Sequence, residues 1–108
     1  MQEVWTAEFG SQDRFGSGVI IFNNGKLSGG DNAYYYIGDY ETSEDKFKAE
    51  LLITPFMDES ESIFNTINEP FKLILTGNFT DNNQHAVAKG HIKGRPQQKI
   101  YVRLTKRN

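Results

Sequence analysis

Lys46-Phe47-Lys48-Ala49-Glu50-Leu51-Leu52-Ile53-Thr54 is the stretch on which the fold class turns. Phe47, Ala49, Leu51 and Ile53 fall on one side, and Lys48, Glu50 and Thr54 fall on the other. Successive side chains of a strand point to opposite faces of a sheet, so a period of two over this length predicts a half-buried strand. The rhythm recurs downstream. Phe71, Leu73, Leu75, Gly77 and Phe79 are opposed by Lys72, Thr76 and Asn78, and Ile100, Val102 and Leu104 are opposed by Tyr101, Arg103 and Thr105. Upstream, Trp5, Ala7 and Phe9 alternate with Thr6 and Glu8, while Val19-Ile20-Ile21-Phe22 is a short, mostly β-branched run. Tyr34 to Tyr40 is aromatic-rich and strand-like, and Ala86 to Lys93 is a weaker strand with small residues and Gly90.

Turn chemistry separates these runs. Asn23-Asn24-Gly25 carries the Asn-Gly pair best suited to positive φ, which predicts a tight type I′ hairpin into Lys26-Leu27-Ser28. Further turns are expected at Ser11–Arg14, Gly29–Asn32, Glu41–Asp45, Asp81–Gln84 and Gly94–Gln98. One segment breaks the pattern. Ser60 to Asn68 reads as a short helix, with Ser60 or Ser62 as N-cap, Ile63, Phe64 and Ile67 on one side, and Pro70 as its stop.

Roughly eight short strands joined by hairpin-length connections make an antiparallel meander. Left open, it would expose two long edges of unpaired backbone. The inward set mixes large rings (Trp5, Phe9, Phe22, Phe47, Phe71, Phe79) with small residues (Ala7, Gly18, Ala49, Gly77, Ala88, Gly90). Glycines within strands permit the bending that closure needs. The expectation is an all-β, antiparallel up-and-down barrel of about eight strands with one short helix, spanning 1–108 as one domain. A two-sheet sandwich is the alternative architecture. A barrel of this size is filled by side chains or holds one small ligand.

Composition narrows the function. The 108 residues are 37% hydrophobic and 13% aromatic, enough for a packed interior, which argues against general disorder. There is no cysteine, which excludes a disulfide framework, thiol catalysis and thiolate zinc sites. Met1-Gln2-Glu3-Val4-Trp5 lacks a basic or apolar leader and no apolar run is long enough for a membrane helix, so a cytoplasmic, non-membrane protein is expected.

Charge is unevenly spread. Through Asp81 the balance is −9; beyond it Lys89, Lys93, Arg95, Lys99, Arg103, Lys106 and Arg107 make +7, leaving a net −2. Clustered cations raise a nucleic-acid reading. Lys89, Lys93, Lys99 and Arg103 alternate with apolar positions, however, as the solvated face of adjacent strands would, and no direct nucleic-acid contact is expected.

Catalytic signatures are lacking. His85 and His91 are spaced about 20 Å apart along one strand face, too far to share a metal. No Gly-x-Ser-x-Gly elbow occurs, and Gly16-Ser17-Gly18 and Gly29-Gly30 lack the following helix of a phosphate cradle. Neither an enzyme nor a cofactor is expected. Two features stand out instead. Tyr34-Tyr35-Tyr36-Ile37-Gly38-Asp39-Tyr40 turns alternate tyrosines to opposite sides of the sheet; those on the inner side either pack as core or line a cavity, and Tyr34 and Tyr36, with Trp5 and Phe47, are the candidate lining for an apolar cavity. The acidic turn Glu41-Thr42-Ser43-Glu44-Asp45 is a candidate docking site for a basic protein, with Glu41, Ser43, Glu44 and Asp45 as contact residues.

Gly18-Val19-Ile20-Ile21-Phe22, Gly25-Lys26-Leu27-Ser28-Gly29-Gly30-Asp31 and Tyr34-Tyr35-Tyr36-Ile37-Gly38 together resemble the GrlR-type negative regulators of type III secretion. The resemblance continues through Ser62-Ile63-Phe64, Phe71-Lys72-Leu73-Ile74-Leu75-Thr76-Gly77 and Arg103-Leu104, and so spans nearly the whole chain. It implies a bacterial, lipocalin-like barrel with a short helix, an apolar cavity and a homodimer. It also implies a protein partner, a helix-turn-helix transcriptional activator whose action is blocked by binding at an acidic loop, Glu-Asp-Glu-Asp in the best-known member. Here the matching turn is Ser43-Glu44-Asp45-Lys46, which keeps part of that motif and follows it with a lysine. The function expected is non-enzymatic sequestration of an activator; the alternative is a carrier of a small apolar molecule.

Overall fold

The computed structural model describes residues 2–11, 14–57 and 69–108. Eight strands run in sequence: β1 (Gln2–Ser11), β2 (Arg14–Asn23), β3 (Lys26–Gly30), β4 (Tyr34–Ser43), β5 (Lys46–Pro55), β6 (Phe71–Thr80), β7 (His85–Ile92) and β8 (Arg95–Lys106). Each pairs antiparallel with the next, and β1 also pairs with β8 from Trp5↔Lys106 to Gly10↔Tyr101, so the sheet closes on itself. Closure removes both edges of the meander and excludes the two-sheet alternative.

The alternation expected for 46–54 is what the barrel uses. Phe47, Ala49, Leu51 and Ile53 are buried, while Lys46, Lys48, Glu50 and Leu52 face out. Trp5, Phe22, Ala7, Ala49 and Ala88 are likewise interior, with Phe9, Phe71 and Phe79 packed partly buried against them. Gly90 shows why small inward residues are needed: a Cβ there would lie 1.8 Å from the Ile74 carbonyl oxygen on the neighbouring strand.

Asn24 and Gly25 both take positive φ (51° and 85°), the type I′ geometry expected from Asn-Gly. Asp81, Asn82 and Asn83 stand consecutively in the left-handed region (φ 55°, 53° and 63°), which Asp and Asn tolerate better than other side chains.

Four expected turns differ from what their composition implied. Gly29 and Gly30 belong to β3, paired with Ile20 and Val19 on one side and Tyr36 and Tyr35 on the other, so the turn into β4 begins at Asp31. Ser11 and Arg14 pair with each other as the ends of β1 and β2. The other two are shorter. β4 continues through Glu41 to Ser43, leaving only Glu44-Asp45 as the turn, because ladder pairing with β5 extends to Ser43↔Lys46. β8 begins at Arg95, and Pro96, Gln97 and Gln98 form an irregularity where the register jumps from His91↔Lys99 to Ile92↔Arg95. Pro96 cannot donate to a ladder, and extra residues in a strand are where it is tolerated. The helix expected over 60–68 lies outside the described residues.

Candidate functional site

Within the barrel the side chains divide into two halves. At the end closed by the β2–β3, β4–β5 and β6–β7 turns, aromatic rings fill the interior. Trp5 lies 5.9 Å from Phe22 and 5.8 Å from Phe79 between ring centroids, Phe22 lies 4.8 Å from Tyr40, and Phe47 lies 5.1 Å from Phe79. Offset and edge-on contacts at these spacings are favourable beyond the area they bury.

Toward the other end the walls are mostly aliphatic, and a cavity of about 180 Å³ remains. Ile20, Leu51, Ile53, Leu73, Leu75, Ile100 and Val102 line it, with Phe9, Phe71 and Tyr34 nearer its mouth. Two polar side chains, Asp31 and Tyr36, meet this lining at one corner.

That corner is built by the Gly29-Gly30-Asp31 stretch and the tyrosines that follow. Asp31 Oδ1 accepts hydrogen bonds from the backbone N–H groups of Ala33 and Tyr34, both at 2.9 Å, and the Asp31 N–H donates to the Tyr34 carbonyl at 2.9 Å. An Asp side chain bonding to backbone two and three residues ahead is the local device that turns β3 into β4. The other carboxylate oxygen accepts the Tyr36 hydroxyl proton. Gly18, across the sheet, leaves room for this phenol: a Cβ there would stand 2.8 Å from both Tyr36 Oη and the Gly30 carbonyl oxygen.

Burial, the hydrogen bond to Asp31 and the charge of that carboxylate together hold the Tyr36 phenol well above its ordinary pKa. The folded state therefore keeps Tyr36 protonated at a pH where the unfolded chain ionises it. Stability from this source is complete below the unfolded phenol pKa of about 10 and is lost as pH rises above it. Urea midpoints measured from about pH 9 to 11 should fall with pH, and the Tyr36→Phe variant should show a shallower fall. Identical slopes would remove Tyr36 as the source.

Of the four residues expected to line a cavity, the structure brings Tyr34 and Tyr36 to it and leaves Trp5 and Phe47 out. Those two belong to the aromatic half. All four point inward, so parity along the strand is right for each; what differs is the level along the barrel axis, which parity does not encode. Asp31 was legible only as a turn residue, although its place between Gly-Gly and a tyrosine run is a signal that it organises a corner.

Glu41, Ser43, Glu44 and Asp45 are all exposed at the aromatic end, opposite the cavity mouth. Glu44 stands at φ 59°, and the Asp45 carbonyl accepts the Phe79 N–H at 2.7 Å, which ties the turn to β6 through backbone alone. Other carboxylates are paired: Asp39 with Lys26 at 2.6 Å, Glu50 with Lys93 at 3.0 Å, and Glu3 with Lys106 at 3.6 Å. Among the described residues no ion pair engages Glu41, Glu44 or Asp45.

The outer face of β5–β8 carries the opposite sign. Lys46 and Lys48 are brought beside Lys89 along a shallow groove that also holds Tyr101, itself 63% exposed. The linear charge count hid this, because the two β5 lysines sit in the acidic part of the chain. His85 faces out and contacts Asp81 at 3.1 Å, and among the described residues no three His, Cys, Asp or Glu side chains converge on a point that could hold a metal.

No protein-family description matches the chain, and no curated protein does.

Proposed function

We propose that this chain is a cytoplasmic, non-enzymatic regulatory protein that captures a cationic protein partner through its β4–β5 turn. The reading follows the GrlR resemblance, in which the partner is a helix-turn-helix activator and capture competes with DNA. The observation that carries it is the set Glu41, Glu44 and Asp45: three exposed carboxylates at one end of a closed barrel, with no ion pair to the described residues. Grouped like charges without internal partners raise the encounter rate with an oppositely charged surface and fix its orientation. Ser43 flanks the turn and can donate a hydrogen bond to the same partner.

The test is charge reversal. Immobilised wild-type protein should retain a helix-turn-helix activator from native-cell extract at low salt and release most of it at high salt. The Glu44→Lys/Asp45→Lys double variant should retain roughly tenfold less at low salt, a loss typical of removing close interfacial charge pairs. Equal retention by the two proteins at both salt levels would exclude the turn as the contact.

A second reading is favoured by the cavity: a barrel that takes one small, largely apolar molecule. The supporting observation is an apolar interior space with a polar corner converging on it, the usual constitution of a ligand site. The two readings are compatible, since the acidic turn and the cavity mouth lie at opposite ends of the barrel.

A further inference from the structure

The polar corner of the cavity restricts which small molecule the barrel can hold. Building on the small-ligand reading, we propose that the cavity selects a single-ring-sized molecule that donates one hydrogen bond to Tyr36, and that Asp31 turns away carboxylates of the same size.

Size sets the first limit. A space of about 180 Å³ is well below the several hundred that drug-sized ligands occupy. An apolar cavity of about 150 Å³ admits a benzene ring, so this one accommodates a ring with a small substituent but not a long acyl chain in full. Aliphatic walls formed by residues such as Ile20, Leu51, Leu73 and Val102 offer nothing to a sugar or a multiply charged metabolite.

The polar corner sets the second limit. The Tyr36 hydroxyl donates its single proton to Asp31, and Asp31 Oδ1 is occupied by two backbone N–H groups. What remains at this corner is acceptor capacity: a lone pair on Tyr36 Oη and those left on the carboxylate. A ligand reaching it gains by donating an N–H or O–H and gains nothing by presenting another acceptor. A carboxylate would bring negative charge against Asp31, and among the described residues no Lys or Arg lines the cavity to offset it. Ser17 and Asn32, also polar, are exposed at the rim. Gly18 belongs to the same device, since a side chain there would displace the Tyr36 hydroxyl from its position.

Three probes of equal ring size separate the outcomes: toluene, phenol and benzoate, each titrated at neutral pH against the whole protein by ligand-observed NMR and calorimetry. Phenol should bind roughly fivefold tighter than toluene, the usual net gain from one hydrogen bond. Benzoate should bind at least tenfold more weakly than phenol. In the Tyr36→Phe/Asp31→Asn double variant, which removes the phenol lone pair and also the carboxylate oxygen that Tyr36→Phe alone would free, the advantage of phenol should vanish while toluene affinity stays the same. Asp31→Asn alone, which keeps an oxygen for the turn and removes the charge, should raise benzoate affinity several-fold, and it serves if the double variant does not fold. Equal affinities for all three probes would overturn the selection and leave the small-ligand reading standing. No binding by any of them at millimolar concentration would overturn both.

Discussion

Gly90→Ala should destabilise the barrel by about 3 kcal/mol, seen as a fall of about 1 to 2 M in the urea midpoint. The reason is contact with backbone, not with a movable side chain. A Cβ at Gly90 would meet the Ile74 carbonyl oxygen at 1.8 Å and its carbon at 2.8 Å, with Leu75 Cδ2 at 2.9 Å. Gly90 pairs with Leu75 on β6 and with Ile100 on β8, so relief requires spreading strands that a closed barrel holds from both sides. The control is Gly94→Ala. Gly94 stands at φ 84° with nothing within 4 Å of its Cβ position, so only left-handed backbone strain opposes the change, about 1 kcal/mol. Equal losses at the two positions would mean that the β6–β7 approach is not tight, and the account of closure would fall with it.

Trp5→Ala should lose about 3 to 5 kcal/mol, the range for deleting a large buried ring. Trp5 is 1% exposed and touches rings on two other strands. Its indole N–H also donates to Glu3 Oε1 at 3.1 Å, while Glu3 Oε2 lies 3.6 Å from Lys106 Nζ across the seam where β1 meets β8. Deletion therefore opens a void beside the one pairing that turns the meander into a barrel. Trp5→Phe keeps most of the ring contact and loses the hydrogen bond, so it should cost about 1 to 2 kcal/mol. Thermal melts of the two variants give the comparison. A loss below about 1 kcal/mol for Trp5→Ala would show that the aromatic half is not close-packed. Because Trp5 sits outside the cavity, toluene affinity should be unchanged in Trp5→Phe.

Much of this architecture is readable from the residues alone. Residues 46–54 alternate so regularly that only a half-buried strand accommodates them, and Asn24-Gly25 names its own turn. The boundaries of β4 and β8 are less legible. Glu41 and Ser43 have turn-like composition, but their backbone groups find ladder partners in Lys48 and Lys46, and pairing prevails over weak local preference. The basic groove escapes for a different reason: Lys46 and Lys48 become neighbours of Lys89 only through the register of β5, β6 and β7.

The amino-acid sequence alone determined which side chains face inward and which face water, because that depends on a two-residue period written locally along each strand. It determined the succession of strands and turns because the Gly, Asn and Asp chemistry that interrupts each alternating run is equally local. Only the tertiary structure decided at what height along the axis each inward residue lies. Trp5 and Phe47 close one end with rings, whereas Tyr34 and Tyr36 border a space at the other. It also joined Asp31, Tyr36 and Gly18 into a single corner. Height and convergence are products of strand stagger and closure, relations among distant segments that no local period records.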